Sequence, residues 1–492
     1  MKKFMPQEIQ DDKSVKKDNS KRNSRKKRLY PIIFTCVFFS LLFAGMLGYT
    51  CYYSYANRME LINNSYNGRQ QILLAQNTRG TIYSSSGDVL AETVTDAEGN
   101  ESRSYPYGKE FAHIVGYSTN GRAGVEALAN YYLINTSIDI SEKVKSDASG
   151  EKYPADNVYT TLDVKLQETA YNALSAYQGA IVVSNPKTGE ILAMVSKPDF
   201  DPNSIEEEWS SFVSSSSNTQ LLNRVTQGLY PPGSTFKIVT ALEYIKENKD
   251  TYNNYSFNCT GKFTLGEDSI SCYHGANHGS VNLFSSFAKS CNSSFANIGM
   301  TLDKKSFADL LDTLMFNSEL PLTMNYNKSY ASCDEDISNS DMMQLSIGQG
   351  TTTITPMHLN MITCAIANDG VLMKPFVIDR VESADGKKVA SFGSSEYKRL
   401  MSEDESDILT SLMEGVVENG TATKLKGLSY TAAGKTGSAE FNSESDSHAW
   451  FTGFAPAEDP EICVTIIIEN AGSGGEYAVP VAKRIFDAYF GA

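Results

Sequence analysis

Residues 230–248 read Tyr-Pro-Pro-Gly-Ser-Thr-Phe-Lys-Ile-Val-Thr-Ala-Leu-Glu-Tyr-Ile-Lys-Glu-Asn, and this stretch decides how the rest of the chain is interpreted. The Pro-Pro-Gly tripeptide is a stop signal, and apolar residues recur with helical spacing from Ser234 to Asn248. Ser234 and Lys237 share one face of that helix. A serine hydroxyl needs an adjacent base to become a nucleophile, and a lysine can act as one when burial lowers its pKa. The stretch predicts a nucleophilic serine beside N–H groups able to stabilise an oxyanion.

Two further motifs supply polar groups of the same kind. Ser290-Cys-Asn292 offers a second hydroxyl, able to relay a proton, and an amide, able to hold a substrate acyl side chain. Lys435-Thr-Gly437 lies on a predicted strand, where Lys435 with Thr436 and Ser438 can bind a carboxylate. Gly437 would allow a substrate backbone to approach closely. Each motif is weak alone, since Ser-x-x-Lys and Lys-Thr-Gly also occur elsewhere in the chain.

The segments around the motifs predict an α+β fold. Residues 179–184 and 190–195 have the pattern of a β-hairpin around a turn at 185–189. Nearer the C-terminus the patterns predict strands at 433–441, 449–454 and 462–468 and a closing helix at 479–489. This order fits an antiparallel sheet with helices on its faces. Upstream, residues 79–91 read as a hairpin and the polar residues 135–157 as a linker.

The N-terminal region predicts a membrane anchor. Residues 1–28 carry eleven Lys and Arg against four Asp and Glu, although the 492-residue chain has a net charge of −15. No charged residue occurs from Leu29 to Asn57. A stretch of about 20 apolar residues is enough to span a bilayer core. The positive-inside rule places the basic tail in the cytoplasm and the remainder outside. The acidic balance argues against nucleic-acid binding.

The order and spacing of the motifs resemble a known signature. Ser-x-x-Lys, Ser-x-Asn and Lys-Thr-Gly begin 56 and 145 residues apart, in the order found in penicillin-recognising serine acyltransferases. The chain is similar to the class B penicillin-binding proteins, and most resembles the short type called penicillin-binding protein A. Other matching segments are Arg79-Gly-Thr-Ile82, Arg103-Ser-Tyr-Pro106, Gly121 to Glu126, Thr160 to Asp163, Asp201-Pro-Asn203, Asn223-Arg224, Tyr230 to Lys237, Gly348-Gln-Gly350, Asn368-Asp-Gly370 and His448 to Gly453.

This resemblance implies a mechanism and its partners. Ser234 would attack the penultimate D-alanine carbonyl of a peptidoglycan stem peptide, with Lys237 as its base, and a neighbouring stem's amine would resolve the acyl-enzyme. Ser290 and Lys435 would carry the proton to the leaving amine, and the N–H groups of Ser234 and Ser438 would form the oxyanion hole. Asn292 would hold the donor peptide, and Thr436 and Ser438 its terminal carboxylate. No cofactor is needed for catalysis. Stem peptides and β-lactams are the expected ligands, and a polytopic glycan-strand polymerase the expected partner.

The charge and hydropathy patterns together with this resemblance predict four regions. They are a basic cytoplasmic tail at 1–28, a transmembrane helix at 29–53, a pedestal resembling a dimerisation region with its linker at 54–156, and the transpeptidase domain at 157–492. The space before residue 157 is too short for a glycosyltransferase domain, so the expected enzyme is monofunctional.

A group of cysteines lies outside this chemistry. Cys259, Cys272, His278 and Cys291 follow the spacing C-x12-C-x5-H-x12-C, with His274 as a spare ligand. Outside the membrane a Cys259–Cys272 disulfide is one interpretation. The other is a closed Cys3His structural zinc site that would fix the Ser290–Asn292 loop.

The residues alone leave several other functions as alternatives. A β-lactam-hydrolysing enzyme of the same fold would need a base that activates the deacylating water. A β-lactam sensor would need more membrane helices or a cytoplasmic effector. A non-catalytic penicillin-binding scaffold and a D,D-carboxypeptidase are the remaining alternatives, since water and an amine compete for one acyl-enzyme.

Overall fold

The computed structural model describes residues 12–57, 61, 68–215, 217–439 and 446–492. The chain divides into two compact units, Met1–Gly68 and Arg69–Ala492. In the first unit a helix runs over Asp12–Ala56 and contains an apolar span at Leu29–Ala56 with a mean hydropathy of 2.1. This span confirms an apolar helix long enough to cross a membrane, three residues longer than the 29–53 predicted. The helix also extends into the predicted tail, of which residues 1–11 lie outside the described residues.

The second unit combines helices and strands, as predicted. Its helices of five or more residues are Arg69–Gln76, Gly124–Leu128, Asn130–Ile134, Ile140–Ser149, Val164–Leu174, Ile205–Val213, Lys237–Glu247, Leu283–Ala288, Asn292–Gly299, Lys304–Thr313, Asn339–Ser346, Pro356–Ile366, Glu403–Asn419 and Gly474–Phe490. Shorter helical turns are Gly108–Phe111, Ala112–Val115, Arg224–Gln227, Gly233–Phe236, Tyr252–Asn254, Tyr273–Gly275 and Thr423–Leu425. Short strands outside the two large sheets are Asn77–Thr78, Tyr153–Pro154, Phe257–Cys259, Lys262–Leu265, Asp268–Ser271, Gly279–Val281, Val371–Met373 and Glu396–Arg399.

A five-stranded antiparallel sheet, the main sheet, forms the centre of the C-terminal part. Its strands, in spatial order, are Ala433–Ala439, His448–Ala455, Ile462–Ile468, Gly179–Ser184 and Ile191–Lys197. The three middle strands are buried along their whole length, which is what a sheet with both faces covered by helices requires. Helix Gly474–Phe490 packs on it together with Val164–Leu174, and helix Pro356–Ile366 also contacts it. The hairpin, the three C-terminal strands and the closing helix are confirmed, except that residues 440 and 441 lie outside the described residues.

A second, six-stranded sheet joins the N-terminal region to the rest of the unit. Its strands are Lys388–Ser391, Ile378–Glu382, Asn157–Thr160, Ile82–Tyr83, Val89–Thr95 and Glu101–Ser104. The middle pairing is parallel and places Ile82 opposite Val158. Strands from 79–104 and from 378–391 therefore share one sheet, which we call the shared sheet.

The segment 135–157 differs from the expected linker. It contains the helix Ile140–Ser149 and a short strand at Tyr153–Pro154 that pairs with Asn77–Thr78. No residue of the helix is buried, and its short apolar stripe of Ile140, Val144 and Ala148 is exposed among polar residues, so the composition of the segment resembles that of a linker. The polar composition correctly indicates exposure but not the absence of structure.

Candidate active site

The predicted nucleophile lies on a tight turn that leads into a helix. Gly233–Phe236 is a 3-10 turn, and the α-helix itself begins at Lys237, three residues later than predicted. Gly233 adopts a left-handed φ of 53°, and its N–H donates to the Gly348 carbonyl over 2.8 Å. The turn leaves Ser234 partly exposed while Lys237 is fully buried. A partly exposed hydroxyl thus lies beside an amine that is shielded from water.

Lys237 lies at the centre of the polar groups. Its Nζ is 3.0 Å from Ser234 Oγ, 2.7 Å from Asn292 Oδ1, and 2.7 and 3.2 Å from the carbonyl and hydroxyl oxygens of Ser290. Burial lowers the pKa of Lys237 to about 7, although the nearby thiol groups of Cys291 and Cys272 oppose this change. A large fraction of Lys237 is therefore neutral near pH 7 and able to accept the Ser234 proton.

Ser290 links the two buried lysines. Its Oγ lies 3.0 Å from Lys435 Nζ and 3.2 Å from Lys237 Nζ. Burial and the positive charge of Lys237 lower the pKa of Lys435 well below its usual range. Ser290 has a left-handed φ of 56°, which is uncommon outside glycine and concentrates at functional sites. The order Ser234, Lys237, Ser290, Lys435 forms a continuous path for a proton.

Asn292 is held at both ends of its amide. The oxygen accepts from Lys237, and the Nδ2 group donates to the Ser271 carbonyl over 3.1 Å. Ser271 ends a strand of a hairpin inserted between the first two motifs. The sequence predicts Asn292 in the site but gives no sign of this contact.

The edge strand Ala433–Ala439 brings the third motif to the same cleft. Thr436 and Ser438 line a cavity of about 520 Å³ together with Ser234, Ser290 and Asn292. Lys435 lies beneath it and is fully buried. The structure therefore brings all three motifs together.

Gly437 has a packing role in the structure. A Cβ there would lie 3.1 Å from Thr235 Cγ2 and 3.2 Å from the Pro232 carbonyl, both in or next to the serine turn. The absence of a side chain lets the edge strand lie against the turn that carries Ser234.

Some residues around the cleft were not predicted as site residues. Thr421 lines the cavity, and its hydroxyl hydrogen bonds to that of Thr436 over 2.5 Å. Glu469 accepts from Arg224 over 2.8 Å and from Tyr230 over 2.7 Å, which fixes the start of the serine turn. Thr421 and Glu469 belong to no motif, so only the fold identifies them.

The predicted metal ligands form a compact group. The ligand atoms of Cys259, Cys272, His278 and Cys291 all lie within 4.8 Å of one another. Cys272 Sγ is 3.7 Å from both Cys259 Sγ and Cys291 Sγ, and Cys259 Sγ is 3.5 Å from His278 Nδ1. The cysteines are free thiols, so the structure has no Cys259–Cys272 disulfide. The hydrogen bond from Cys291 is the main cause that lowers the pKa of the Cys272 thiol. His274, the spare ligand, is not part of this group.

The fold and the hydroxyl–amine path define a serine acyltransferase of the penicillin-recognising class. The family model described as "Penicillin binding protein transpeptidase domain" matches residues 179–487, and "Penicillin binding protein A dimerisation domain" matches 79–158. The chain belongs to the penicillin-binding protein transpeptidase family.

Relatives and solved structures agree with this assignment. The chain is 27% identical over 449 residues to peptidoglycan D,D-transpeptidase PbpA of Mycolicibacterium smegmatis, covering 85% of this chain and 91% of that protein. It is 29% identical to peptidoglycan D,D-transpeptidase MrdA of Acinetobacter baumannii, covering 78% of this chain and 66% of the relative. The D,D-transpeptidase domain of a peptidoglycan glycosyltransferase from Eggerthella lenta superposes with a TM-score of 0.76 at 30% identity, covering 85% and 99% of the two chains. Penicillin-binding protein A of M. tuberculosis, in its imipenem acyl-enzyme complex, gives 0.77 at 25% identity, covering 84% and 99%.

Proposed function

We propose that this protein is a peptidoglycan D,D-transpeptidase that acts through a Ser234 acyl-enzyme and is acylated by β-lactams. The observation that carries the proposal is the 3.0 Å contact between Ser234 Oγ and the buried Lys237 Nζ. Relatives named as peptidoglycan D,D-transpeptidases supply the substrate class.

The proton follows the path of hydroxyl and amine groups. Ser234 Oγ bonds to the penultimate D-alanine carbonyl carbon while its proton moves to Lys237 Nζ. The C–N bond then breaks, and Ser290, next to Lys435, delivers a proton to the leaving D-alanine amine. An acceptor amine attacks the ester, loses a proton to the same path, and restores Ser234.

The remaining residues bind and orient the donor. Thr436 and Ser438 bind the terminal carboxylate, and the N–H groups of Ser234 and Ser438 form the oxyanion hole. Asn292 holds the donor peptide and keeps Lys237 in place through their 2.7 Å contact.

Intact mass of the full-length protein in detergent tests the nucleophile. A penicillin should add one adduct per chain to the wild type and none to Ser234→Ala. Ser395→Ala is a matched control, because Ser395 and Lys398 form another Ser-x-x-Lys on the exposed surface and its adduct should be unchanged. An adduct that persists for hours supports a synthase, whereas rapid loss would indicate a hydrolase. A folded wild type that takes no adduct would leave only the scaffold alternative.

No catalytic cofactor is required, but we propose a structural zinc ion held by Cys259, Cys272, His278 and Cys291. Tetrahedral zinc with Zn–S bonds of about 2.3 Å places its sulfur ligands about 3.8 Å apart, and the observed S–S separations of 3.7 Å fit this. The hydrogen bond between Cys272 and Cys291 lowers the pKa of the Cys272 thiol and raises that of Cys291, so zinc binding would have to displace the proton of Cys291. The site would hold Cys291, and with it Ser290 and Asn292, against the insert, the segment 257–281 between the first two motifs.

Metal analysis of the full-length chain, purified without chelator, tests the zinc site. We expect about one zinc per chain, lost in Cys259→Ser and kept in Cys333→Ser, which changes a buried cysteine outside the group. Absence of zinc together with a mass lower by two hydrogen atoms would support the disulfide instead.

We propose that residues 1–28 face the cytoplasm, 29–53 cross the membrane, 54–156 form the pedestal and 157–492 the transpeptidase domain. The basic cluster from Lys21 to Arg28 on one side of the apolar span supports this orientation. Protease added to intact spheroplasts should remove a C-terminal tag and leave an N-terminal tag, and the reverse pattern would refute the orientation.

We further propose a polytopic glycan-strand polymerase as the membrane partner, a proposal supported by the family resemblance. Photo-crosslinkers placed along Leu29–Ala56 of the full-length chain should capture such a protein in native membranes. Replacing the span with an unrelated transmembrane helix should abolish the crosslink, and its persistence would contradict a partner bound through this helix.

A further inference from the structure

The cleft around Ser234 differs in charge from the rest of the protein. The chain has a net charge of −15, yet among the described residues that line the cleft there is no Asp or Glu. The lining instead includes the positively charged side chain of Lys289. A cleft lined by one sign of charge concentrates ligands of the opposite sign. The electrostatics of the cleft therefore favour an anionic peptide.

One wall of this cleft is built by the insert between the first two motifs. Its strands Phe257–Cys259 and Gly279–Val281 pair with each other, and the turn between Ser271 and Gly279 lines the cleft. At this corner the rings of Tyr273 and His274 lie 4.0 Å apart, and Tyr273 is 47% exposed.

The corner has a strained backbone. His274 has a φ of 52° and a ψ of 24°, in the left-handed region that a non-glycine residue seldom occupies. Such conformations persist where the surrounding structure enforces them, often at ligand sites. Cys272, two residues earlier, is buried and contacts the Ser293 hydroxyl over 3.1 Å, which anchors the corner to the catalytic loop.

Lys289 adds a positive charge to the lining of the cleft. It immediately precedes Ser290, is exposed, and lines the same cleft as Ser234. It makes no ion pair within the described part of the chain, in contrast to Lys187, Lys328 and Lys387. Its charge is therefore available to a ligand.

We propose that the cleft selects stem peptides with a second free carboxylate, on the residue preceding D-alanyl-D-alanine, which Lys289 binds beside the Tyr273–His274 corner. This inference rests on the proposed function, in which Thr436 and Ser438 bind the terminal carboxylate. The substrate class is then a stem whose diamino acid is dicarboxylic and not amidated. An amidated stem lacks the charge that Lys289 would pair with.

Two penicillins test this selection on the full-length protein in detergent. Both share the bicyclic nucleus, and their acyl side chain ends either in a free carboxylate or in its amide. Because a penicillin mimics acyl-D-alanyl-D-alanine, this side chain occupies the place of the preceding residue. The wild type should be acylated about two- to fivefold faster by the carboxylate form, the range expected for one exposed ion pair.

Variants test whether Lys289 causes the preference for the carboxylate penicillin. Lys289→Gln should bring the ratio of the two acylation rates to about one, and Lys289→Arg should keep it. His274→Asn, which tolerates the same backbone conformation, should lower the ratio less than Lys289→Gln. Lys262→Gln removes an exposed lysine of the same insert outside the cleft lining and should leave the ratio unchanged.

The outcomes separate this inference from the proposed function. Equal rates for both penicillins in the wild type, or a ratio that survives in Lys289→Gln, would overturn the second-carboxylate site while leaving the acyl-enzyme intact. Failure of both penicillins to acylate Ser234 would overturn the proposed function and this inference with it.

Discussion

At the scale of single residues, the chemistry depends on the amine of Lys237, which the fold shields from water. Lys237 is fully buried and contacts only neutral oxygen atoms of Ser234, Ser290 and Asn292 among the hydrogen bonds of the described residues. Without a carboxylate to stabilise the ammonium form, desolvation dominates and the lysine pKa falls to about 7. Burial and the positive charge of Lys237 lower the pKa of Lys435 as well. The site thus stabilises a neutral base at physiological pH.

The pH dependence of acylation should report this lysine. Because the lysine pKa is lowered, the reactive neutral form predominates above about pH 7 and is lost as the pH falls below it. We expect the second-order rate of penicillin acylation to fall by about tenfold per pH unit below pH 7, measured by stopped-flow or quenched intact mass. A flat profile between pH 5 and 8 would contradict Lys237 as the base.

Lys237→Arg supplies a variant that stays charged. A guanidinium remains protonated in proteins, so this variant cannot accept the Ser234 proton. Acylation should fall by about 100-fold or more without a pH-dependent recovery up to pH 9. Recovery with the wild-type profile would assign the observed pKa to another group.

At the scale of elements, the serine turn depends on a close approach between two loops. Gly348 has a φ of 72°, and a Cβ on it would lie 2.2 Å from the Gly233 carbonyl and 2.6 Å from Phe236 Cβ. Both neighbours belong to the turn that presents Ser234. Gly233 and Phe236 therefore cannot move away from a Cβ on residue 348 without shifting Ser234.

Gly348→Ala should therefore impair acylation. Displacement of the serine turn by about 1 Å lowers the rate by about 10- to 100-fold, measured as penicillin acylation at matched protein concentration. Gly386→Ala is the matched control, because Gly386 has a similar φ of 80° with no atom within 4 Å of its Cβ position. Both variants carry the cost of an L-residue in left-handed backbone, so a loss of activity in both would point to strain alone.

The sequence predicts the elements of this site better than the contacts between them. The helix that begins at Lys237 and the strand carrying Lys435 follow from local periodicity, whereas the 3-10 turn that holds Ser234 does not. The bond from Asn292 to Ser271 and the contact of Thr421 with Thr436 join segments that only the tertiary fold brings together. The helix Ile140–Ser149 differs from the predicted linker for the opposite reason, since its short apolar stripe of Ile140, Val144 and Ala148 is exposed and the helix buries nothing.

At the scale of the whole molecule, residues 79–158 and 179–487, the two regions that match the family models, lie in one structural unit. The shared sheet contains Ile82–Tyr83 from the first and Ile378–Glu382 from the second, joined through Asn157–Thr160. An apolar cluster also crosses between them, with Tyr117 packed against Phe200 at 5.7 Å between ring centroids. Arg69–Ala492 is accordingly one compact unit, which we expect to unfold cooperatively.

A buried charge in the pedestal tests this cooperativity. Glu126 is fully buried and pairs with Arg79 and with Arg103, whose side chains are 9% and 8% exposed. Glu126→Gln leaves two buried guanidinium groups without their counter-ion, so the free energy of unfolding should fall by about 3–5 kcal/mol. Glu142→Gln, in an exposed pair with Lys145, should change it by less than about 1 kcal/mol.

The two tryptophans of the chain show how far that loss of stability spreads. Trp209 packs against Tyr117 beside the pedestal, whereas Trp450 is buried in the main sheet and donates to the Pro231 carbonyl next to the serine turn. In Trp209→Phe and Trp450→Phe backgrounds, urea unfolding followed by the fluorescence of the remaining tryptophan should give the same midpoint shift for Glu126→Gln. A shift reported by Trp209 alone would mean that the pedestal unfolds independently of the active site. A common shift means that the stability of the serine turn depends on an ion cluster in another part of the unit, because the shared sheet and the Tyr117–Phe200 cluster connect the two regions.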